Sequence, residues 1–351
     1  MPSQTARTRA TIVAAAGVLL GLAYGVTARF LFDRTPDGGD HPVLVAGFVA
    51  MSIAFLFVVP FALGAVTAFF APRTSRYRWF GWVLLPIVPC ALLMGVVLLL
   101  AWEGAICVAL ATPIFLAMAM LGGVAMGVSI VRDERGGRYA HSSIGVLALC
   151  ALLPFLMAPA ESRVAVPEST RVVLTSVAID ADAATVWSQI VRVPEISARE
   201  QPGSLFHRIG IPRPLSATLS HEGVGGVRLA RFDSGIRFDE TVTEWTPGVG
   251  FAFDIRVDPD SIGHTLDRHV RVGGEYFDVL EGRFRIEPAA RGVVLHLTSR
   301  HRLNTRFNAY AGLWTDAIMR DIHGTVCAVV KRRSEALAAR AQASEPSKSM
   351  D

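Results

Sequence analysis

The sequence predicts two parts, an α-helical transmembrane bundle followed by an α+β domain with a curved antiparallel sheet around a long C-terminal helix. The first 160 residues contain five long stretches without a charged residue. From Glu161 onward the chain becomes charged, and strand-like segments precede one long amphipathic segment. We therefore expect a membrane domain over residues 1–160, a linker over 161–170, the α+β domain over 171–340 and a disordered tail over 341–351.

The uncharged stretches are long enough to be membrane helices. A helix of about 20 apolar residues crosses a bilayer core, and backbone groups in hydrocarbon must be paired within the segment. Asp, Glu, Lys and His are missing from the middle of every stretch, which argues against a pump or proton relay. Arg29 lies near the end of the first stretch, from where its charge can extend to the interface. The predicted spans cover about residues 12–32, 43–71, 79–102, 104–131 and 142–160.

The positive charge belongs to the membrane part. Residues 1–160 contain ten arginines, no lysine and six acidic residues, which equals the net charge of +4 of the whole chain. Residues 161–351 therefore carry balanced charge, without the basic footprint of a nucleic-acid-binding protein. We expect a lipid bilayer, and no nucleic acid, among the partners of this chain.

Basic residues cluster on alternate connections between the predicted spans. This pattern places the N-terminus in the cytoplasm by the positive-inside rule. Five crossings then make a multi-pass protein of a bacterial plasma membrane, with its C-terminal domain outside the cytoplasm. If the last span, which contains Pro154 and Pro159, does not cross, the domain is cytoplasmic instead. One set of connections carries Arg7, Arg9, Arg73, Arg76, Arg78, Arg132, Arg135 and Arg138, and the other carries Arg34.

Glycines recur every fourth residue in two spans. Gly17, Gly21 and Gly25 predict a face of the first span that approaches another helix closely. That helix could belong to the same bundle, to a second copy of the chain in a homodimer, or to another membrane protein. We attribute Gly123 and Gly127, in the fourth span, to the general abundance of glycine in membrane helices.

The soluble part alternates between the two periodicities of secondary structure. Arg171–Ile179 has the two-residue period of a strand, and Ala183–Val193 has the spacing of a helix. A long helix is predicted over about Arg306–Arg340 by the spacing of its apolar residues, from Tyr310 and Trp314 to Val330. Between the helices lie six strand-like segments separated by turn residues: Ser216–His221, Gly226–Asp233, Ile236–Trp245, Gly250–Val257, Glu275–Glu287 and Val293–Leu303.

Four segments of the soluble part carry a family resemblance. They are VAIDADAATVWSQI (Val177–Ile190), GVGGVRLARF (Gly223–Phe232), GIRFDETVTEWTPGVGFAFDI (Gly235–Ile255) and YAGLWTDAIMRDI (Tyr310–Ile322). Together they resemble the Bet v 1/START superfamily, also called SRPBCC, which includes polyketide cyclase-like proteins. The resemblance covers about residues 172–337 and implies a helix-grip fold with a hydrophobic cavity. It implies no catalytic residue, because the superfamily has no universal one.

Three polar residues share the phase of the apolar residues on their strands. Glu240 lies two residues after Phe238, Arg231 two after Leu229, and His301 four after Leu297, so all three should point inward. Glu240 and His301 are candidates for acid/base catalysis on a carbonyl compound. Alternatively, Glu240 and Arg231 form a buried ion pair, or the polar groups orient the head of a ligand. The predicted ligand-binding set is Arg231, Phe238, Glu240, Phe253, Leu297, His301, Tyr310 and Trp314.

Other residue types predict little chemistry. The seven histidines of residues 161–351 lack metal-ligand spacing, so we expect neither a metal nor another cofactor. Ser299 has no partner visible in the sequence that would make it a nucleophile.

The sequence therefore favours a membrane-tethered protein that binds a hydrophobic or lipid-like small molecule. Two alternatives stay open: a cyclase- or dehydratase-like enzyme that uses Glu240 and His301, and a non-catalytic membrane scaffold.

Overall fold

The chain folds into two units. The structure, a computed structural model, describes residues 4–32, 49–72, 78–136, 141–262, 269 and 271–344. The first unit is Met1–Pro167 with Thr305–Phe307, and the second is Glu168–Asn304 with Asn308–Asp351. Residues 43–48 of the second predicted span and residues 345–351 of the predicted tail lie outside the described residues.

The first unit is built from apolar helices. Four are long and apolar enough to cross a membrane, namely Thr8–Leu31, Arg78–Leu99, Ala105–Gly136 and Ser142–Glu161. A fifth apolar segment, Ala54–Phe69, is shorter, because its described part is a five-residue π-helical turn and an 11-residue α-helix. The helices are α1 (Gln4–Leu31), α2 (Val59–Phe69), α3 (Arg78–Val83), α4 (Ile87–Leu99), α5 (Ala105–Gly136) and α6 (His141–Glu161).

Polar contacts join helix ends at one end of this bundle. The Arg29 guanidinium, near the end of α1, donates to the Glu103 carboxylate between α4 and α5 at 2.7 Å. Glu161, at the end of α6, accepts hydrogen bonds from the backbone N–H groups of Ile53 and Ala54 at 2.7 and 3.0 Å. Its negative charge therefore caps the positive end of the segment that leads into α2. Arg29, which we expected to extend to the interface, is 2% exposed and paired with Glu103.

A second group of contacts joins the opposite helix ends. Arg78, at the start of α3, pairs with Glu134 near the end of α5 at 2.8 Å. Asp133, also near the end of α5, accepts from the backbone N–H and hydroxyl of Ser143, in the first turn of α6, at 2.8 and 2.6 Å. The two sets of contacts are consistent with consecutive helices that run in alternate directions through the bundle.

The glycine face of α1 packs inside the bundle. A Cβ atom added at Gly17 would lie 2.9 Å from the Thr67 carbonyl oxygen on α2, and one added at Gly25 would lie 2.8 Å from the Leu93 side chain on α4. At Gly17 the close atom belongs to the backbone, so the observed helix spacing requires glycine there. At Gly25 the close atom is the end of a leucine side chain, which would have to move. Of the three helices predicted as possible partners of this face, the structure shows packing against a helix of the same bundle.

Glycines of α5 also allow close approach, which corrects our attribution of Gly123 and Gly127 to composition alone. A Cβ at Gly127 would overlap the indole of Trp82, and one at Gly123 would overlap the Trp82 carbonyl oxygen. Neighbouring Gly122 lies in the same way against the Phe61 carbonyl oxygen of α2. Three glycines thus let α5 touch the backbones or rings of two other segments.

We expect Gly122→Ala to destabilise the membrane unit by about 1–3 kcal/mol, because the added methyl group overpacks a backbone contact. The midpoint of thermal unfolding in detergent, followed by fluorescence-detected size-exclusion chromatography, would measure the loss. Gly145→Ala is the matched control, since no atom lies within 4 Å of a Cβ at that exposed helical position. Equal midpoints for the two variants would contradict the close α2–α5 contact.

The second unit is a seven-stranded antiparallel sheet with a long helix, the predicted helix-grip architecture. The sheet order is β1-β7-β6-β5-β4-β3-β2, so the first and last strands of the chain are neighbours. The strands are β1 (Glu168–Ile179), β2 (Pro214–Leu219), β3 (Val227–Phe232), β4 (Arg237–Thr246), β5 (Gly250–Val257), β6 (Phe277–Pro288) and β7 (Val293–Asn304). The helices are α7 (Ala183–Val191), α8 (Leu205–Arg208) and α9 (Asn308–Ser344).

An aromatic cluster fills one part of the core of the second unit. Trp187 of α7 packs edge-to-face on Trp245, with ring centroids 4.9 Å apart, and on Phe251 at 5.7 Å. Phe251 in turn contacts Phe253 and Phe284. These rings place α7 against the sheet and close this part of the interior.

Helix α9 turns a mixed apolar and polar stripe toward the sheet. Its most buried residues recur three or four positions apart, the spacing of one helix face. This stripe differs from the predicted one, whose leading members Tyr310 and Trp314 are only half-buried. Sequence periodicity missed it because several of its members are polar or small. The buried stripe runs through Met319, His323, Cys327, Val330 and Ser334, and Gly312, Thr325 and Val329 are buried as well.

Two polar contacts set the position of α9 on β1 and β7. The His323 imidazole is hydrogen-bonded through Nε2 to Ser299 Oγ at 2.8 Å and through Nδ1 to Thr175 Oγ1 at 3.2 Å. The Arg171 guanidinium donates two hydrogen bonds to Asp316, at 2.8 and 2.6 Å, and this lowers the pKa of the Asp316 carboxyl. Each of these contacts needs one particular pair of side chains. A shift of α9 by one turn would therefore leave His323, Arg171 and their present partners without hydrogen bonds.

Burial, with a smaller contribution from nearby His301, lowers the pKa of His323 to about 4. The unfolded chain binds this proton near pH 6.5, so the unfolded state holds more protons between these two values. Folding stability should therefore be highest above pH 6.5 and fall as the pH drops toward 4, with a loss of about 2 kcal/mol at pH 5 from this group.

The variant His323→Gln keeps a donor and an acceptor but does not titrate, so its unfolding midpoint should fall less between pH 7 and pH 5. Near-UV circular dichroism of the full chain in detergent would follow the unfolding of both proteins. His221→Gln, which removes an exposed imidazole, is the control. If His323→Gln and the wild type lose the same stability on acidification, buried His323 is not responsible.

Candidate functional site

A polar row crosses the inner face of the sheet, the face that α9 covers. Arg228 of β3 stands opposite Glu240 of β4, and Glu240 stands opposite Ile255 of β5. Farther along, Val279 of β6 stands opposite His301 of β7. The strands thus bring charged and titratable groups from both halves of the sheet to one level of the interior.

The basic member of this row is Arg228 and not the predicted Arg231. Arg231 is exposed, whereas Arg228 is 5% exposed and Val227 is 39% exposed. The predicted phase of β3 is therefore wrong by one residue, which moves every side chain to the other face. The apolar residues Val227 and Leu229 suggested the wrong face, while the register with β4 places Arg228 beside Glu240.

Arg228 and Glu240 form a buried ion pair. Arg228 Nη1 donates to Glu240 Oε2, and the guanidinium lies 5.7 Å from the ring centroid of Phe253 and 5.8 Å from that of Phe284. Burial raises the pKa of Glu240, and the positive charge of Arg228 opposes that rise. The alternative of an ion pair at Glu240 is thus correct in kind, with Arg228 as the partner.

This ion pair leaves hydrogen-bonding capacity unused. Among the described residues, Arg228 Nε is buried without a hydrogen-bond partner. The Glu240 side chain lies deep in the domain, yet 10% of its surface remains accessible. A buried donor without a partner normally costs free energy, so the pair is incomplete by itself.

His301 lies at the other end of the row. It is 0% exposed, and its Nε2 lies 3.1 Å from Thr315 Oγ1 and 3.6 Å from Asp316 Oδ1. We assign the ring proton to Nε2, which faces the Asp316 carboxylate, with the Thr315 hydroxyl directed toward the Gly312 carbonyl oxygen at 3.4 Å; Nδ1 is then an acceptor. Among the described residues, that Nδ1 atom is buried without a partner.

The charge state of His301 follows from its surroundings. Burial lowers the pKa of His301, while the Asp316 carboxylate raises it and the Arg171 guanidinium lowers it again. Because the net shift is downward, the imidazole is neutral at pH 7. His301 therefore presents a lone pair, and not a positive charge, toward the interior.

The separation of Glu240 and His301 limits what they can do together. They lie on β4 and β7, which are three strand spacings apart, or about 14 Å along the sheet. A group that transfers a proton must lie within hydrogen-bond reach of the reacting atom. This separation along the sheet favours contact of the two residues with two ends of one molecule over joint action on one small group.

The remaining predicted site residues are either buried in the apolar core or half-buried. Phe253 and Leu297 are 3% and 5% exposed and belong to the apolar core. Phe238 is half-buried and packs edge-to-face on Phe232 at 5.2 Å. Tyr310 and Trp314, with ring centroids 6.4 Å apart, are half-buried on the first turns of α9.

Sequence inspection missed the polar groups that α9 contributes. Asp316 and His323 are seven residues apart and therefore share a helix face, a signal that we did not use. His323 also supplies the partner of Ser299 that was not visible in the sequence. Its other nitrogen faces the Thr175 hydroxyl and not a carboxylate, and a pKa of about 4 makes His323 a weak base. We assign the Ser299–His323 contact to the docking of α9 and not to nucleophilic catalysis.

Within the described residues, His, Cys, Asp and Glu side chains form no group of three or more that could hold a metal ion.

Comparison with known proteins gives matches only among solved structures. No family profile matches this chain, and no curated protein does. An uncharacterized protein from Rhizobium leguminosarum is similar over 47% of this chain and 97% of its own, with 13% identity and a TM-score of 0.30. The Zhui aromatase/cyclase from a Streptomyces species covers 49% of this chain and 98% of its own, with 15% identity and a TM-score of 0.30. Truncated norcoclaurine synthase from Thalictrum flavum covers 48% of this chain and 95% of its own, with 15% identity and a TM-score of 0.29.

Proposed function

We propose that this chain is a membrane-tethered binding protein whose helix-grip domain holds an amphipathic small molecule between the sheet and α9. The observation that carries the proposal is the incomplete Arg228–Glu240 pair. Glu240 keeps accessible surface deep inside the domain, and Arg228 Nε has no partner among the described residues. Ligand sites are usually lined by apolar side chains with a few polar groups among them that fix the orientation of the ligand, and the surroundings of this pair have that composition.

A purely structural role for this pair is the less favourable explanation. Removing two charges from water is costly, and apolar residues of similar volume often stabilise a protein equally well or better. The cost is justified when the charges recognise another molecule. A ligand group that bonded to Arg228 and Glu240 would complete their hydrogen bonding.

The surroundings of the pair suit an apolar ligand body. Phe253 and Phe284 lie beside the guanidinium. Phe238 shares the phase of Glu240 on β4, and Ile255 lies opposite Glu240 on β5. Both of these residues are only half-buried. Apolar contact area supplies most of the affinity for such a ligand, and the polar row sets its orientation.

The membrane unit gives a physical reason for the tether. A ligand that dissolves in lipid is scarce in water, and tethering keeps the binding domain near the phase that contains it.

We also propose, on its helix-grip architecture, that the domain belongs to the Bet v 1/START superfamily that its sequence resembles.

An enzyme is the second candidate, because Glu240 has a raised pKa and His301 is neutral with an available lone pair. Their separation of about 14 Å argues against a shared reaction centre. An enzyme of this design would use one of the two residues for chemistry and the other for orientation. A scaffold without a ligand, the third alternative, gives no reason for the unpaired polar atoms.

We expect the double variant Arg228→Met/Glu240→Leu to fold with near-wild-type stability and to lose its small-molecule ligand. Replacing both members leaves no unpaired charge, whereas Arg228→Met alone should cost about 3–5 kcal/mol. Native mass spectrometry of the full chain, released from detergent, would detect the ligand that co-purifies with the wild type.

The matched control for that experiment is Arg283→Met/Glu244→Leu, which removes an ion pair whose side chains are 42% and 60% exposed. Its ligand content should equal that of the wild type. A wild-type protein without any bound small molecule, or a double variant that retains the full amount, would support the scaffold alternative.

We further propose that the binding domain leaves the membrane on the side opposite the N-terminus. The described part of the Ala54–Phe69 segment is about 24 Å long, slightly less than a hydrocarbon core of ~30 Å, and it precedes the Arg-rich connection 73–78. Contacts of Arg29 with Glu103, and of Glu161 with the N–H groups before α2, are consistent with five alternating crossings.

Reporter fusions should therefore give opposite results at the two termini. A green fluorescent protein fused after residue 351 should be dark when exported by the Sec route, whereas alkaline phosphatase at that position should be active. The same reporters fused before residue 1 provide the internal control, with the reverse pattern expected. Fluorescence at both termini would mean that an even number of segments crosses.

A further inference from the structure

We infer that the ligand carries an electrically neutral head group, with a hydrogen-bond acceptor and a donor side by side, that binds at the Arg228–Glu240 pair. A primary carboxamide is the simplest head of this kind. The inference rests on the proposed function and specifies the chemistry that its site selects.

The charge balance of the inner face excludes an ionic head group. Arg228 and Glu240 are hydrogen-bonded to each other, so an anion that approaches the guanidinium also meets the adjacent carboxylate. Farther along the row, Arg171 is already paired with Asp316 at 2.6 Å, and His301 is neutral. The described inner face therefore provides paired charges, and neither a cation nor an anion finds an uncompensated counter-charge.

The unused atoms of the pair define the pattern of the head group. Arg228 offers N–H donors beyond the one given to Glu240, including the unpaired Nε. Glu240 uses Oε2 toward Arg228, and its other oxygen can accept a hydrogen bond from a ligand. A carboxamide matches both, since its oxygen accepts from Arg228 and its N–H donates to Glu240.

The aromatic neighbours keep this pattern in place. The guanidinium lies near the faces of two phenylalanine rings, at 5.7 and 5.8 Å, and both ring residues are 3% exposed. Cation–π contacts and tight packing reduce the freedom of Arg228 to turn toward a different partner. The donor and acceptor are therefore arranged before a ligand arrives, which favours selectivity.

Three probes of equal chain length test the inference: octanamide, octanoate and octylammonium. Isothermal titration calorimetry of the full chain in lipid nanodiscs at pH 7.5, with empty nanodiscs subtracted, would give the three dissociation constants. We expect octanamide to bind about tenfold or more tightly than either ion, the effect of one unmatched charged group.

Two variants identify the groups responsible. Glu240→Gln leaves the positive charge of Arg228 uncompensated, so octanoate should become the preferred probe. Arg231→Gln removes an arginine from the exposed face of the same strand and should leave the order of the probes unchanged. If Glu240→Gln fails to fold, the order measured for the wild type decides by itself.

The possible failures are distinguishable. Octanoate or octylammonium binding to the wild type as tightly as octanamide would overturn the neutral-head inference and leave the binding function intact. If none of the three probes binds the wild type, the proposed binding function itself fails. An Arg231→Gln variant with an altered order would show that the net surface charge, and not the buried pair, selects the probe.

Discussion

The structure of the soluble unit depends on one constraint: the polar groups on the inner face of the sheet must find partners on the helix that covers them. His323 meets this requirement for Ser299 and Thr175, and Asp316 meets it for Arg171. An apolar helix could cover the sheet at several registers with similar energy, whereas paired polar groups permit one. The position of α9 on the sheet follows from these contacts.

Some buried polar atoms of the soluble unit have no hydrogen-bond partner among the described residues. They include Arg228 Nε, His301 Nδ1 and, on the buried stripe of α9, Ser334 Oγ. The contacts of His323 and Asp316 position α9 on the sheet. In our proposal, the row from Arg228 to His301 serves to bind a ligand.

In the membrane unit, the packing of the helices against one another is defined with few charged residues. Its helices approach through glycine at places where a methyl group would overlap a backbone oxygen, such as Gly122 against Phe61. Its ionic contacts lie near helix ends, where Arg29 meets Glu103 and Arg78 meets Glu134. Such an arrangement keeps charge away from the middle of the helices, where transport would need it, and suits the anchoring role that we propose for this unit.

Apolar stretches, strand alternation and turn residues were sufficient to predict the fold class, because burial in lipid or in a core requires those patterns along the chain itself. They also placed Glu240 and His301 on the inner face, since the apolar neighbours on their strands are numerous. On β3 the same argument failed: Val227 and Leu229 are apolar but face outward, and only pairing with β4 brings Arg228 beside Glu240. The partners of Ser299 and Arg171 come from α9, more than 20 residues away along the chain. The sequence by itself determined which segments are helices and strands and which helices are apolar enough to cross a membrane, because those depend on local periodicity and composition. The tertiary structure alone decided which polar groups meet, because that depends on strand register and on the packing of α9, which no local pattern encodes.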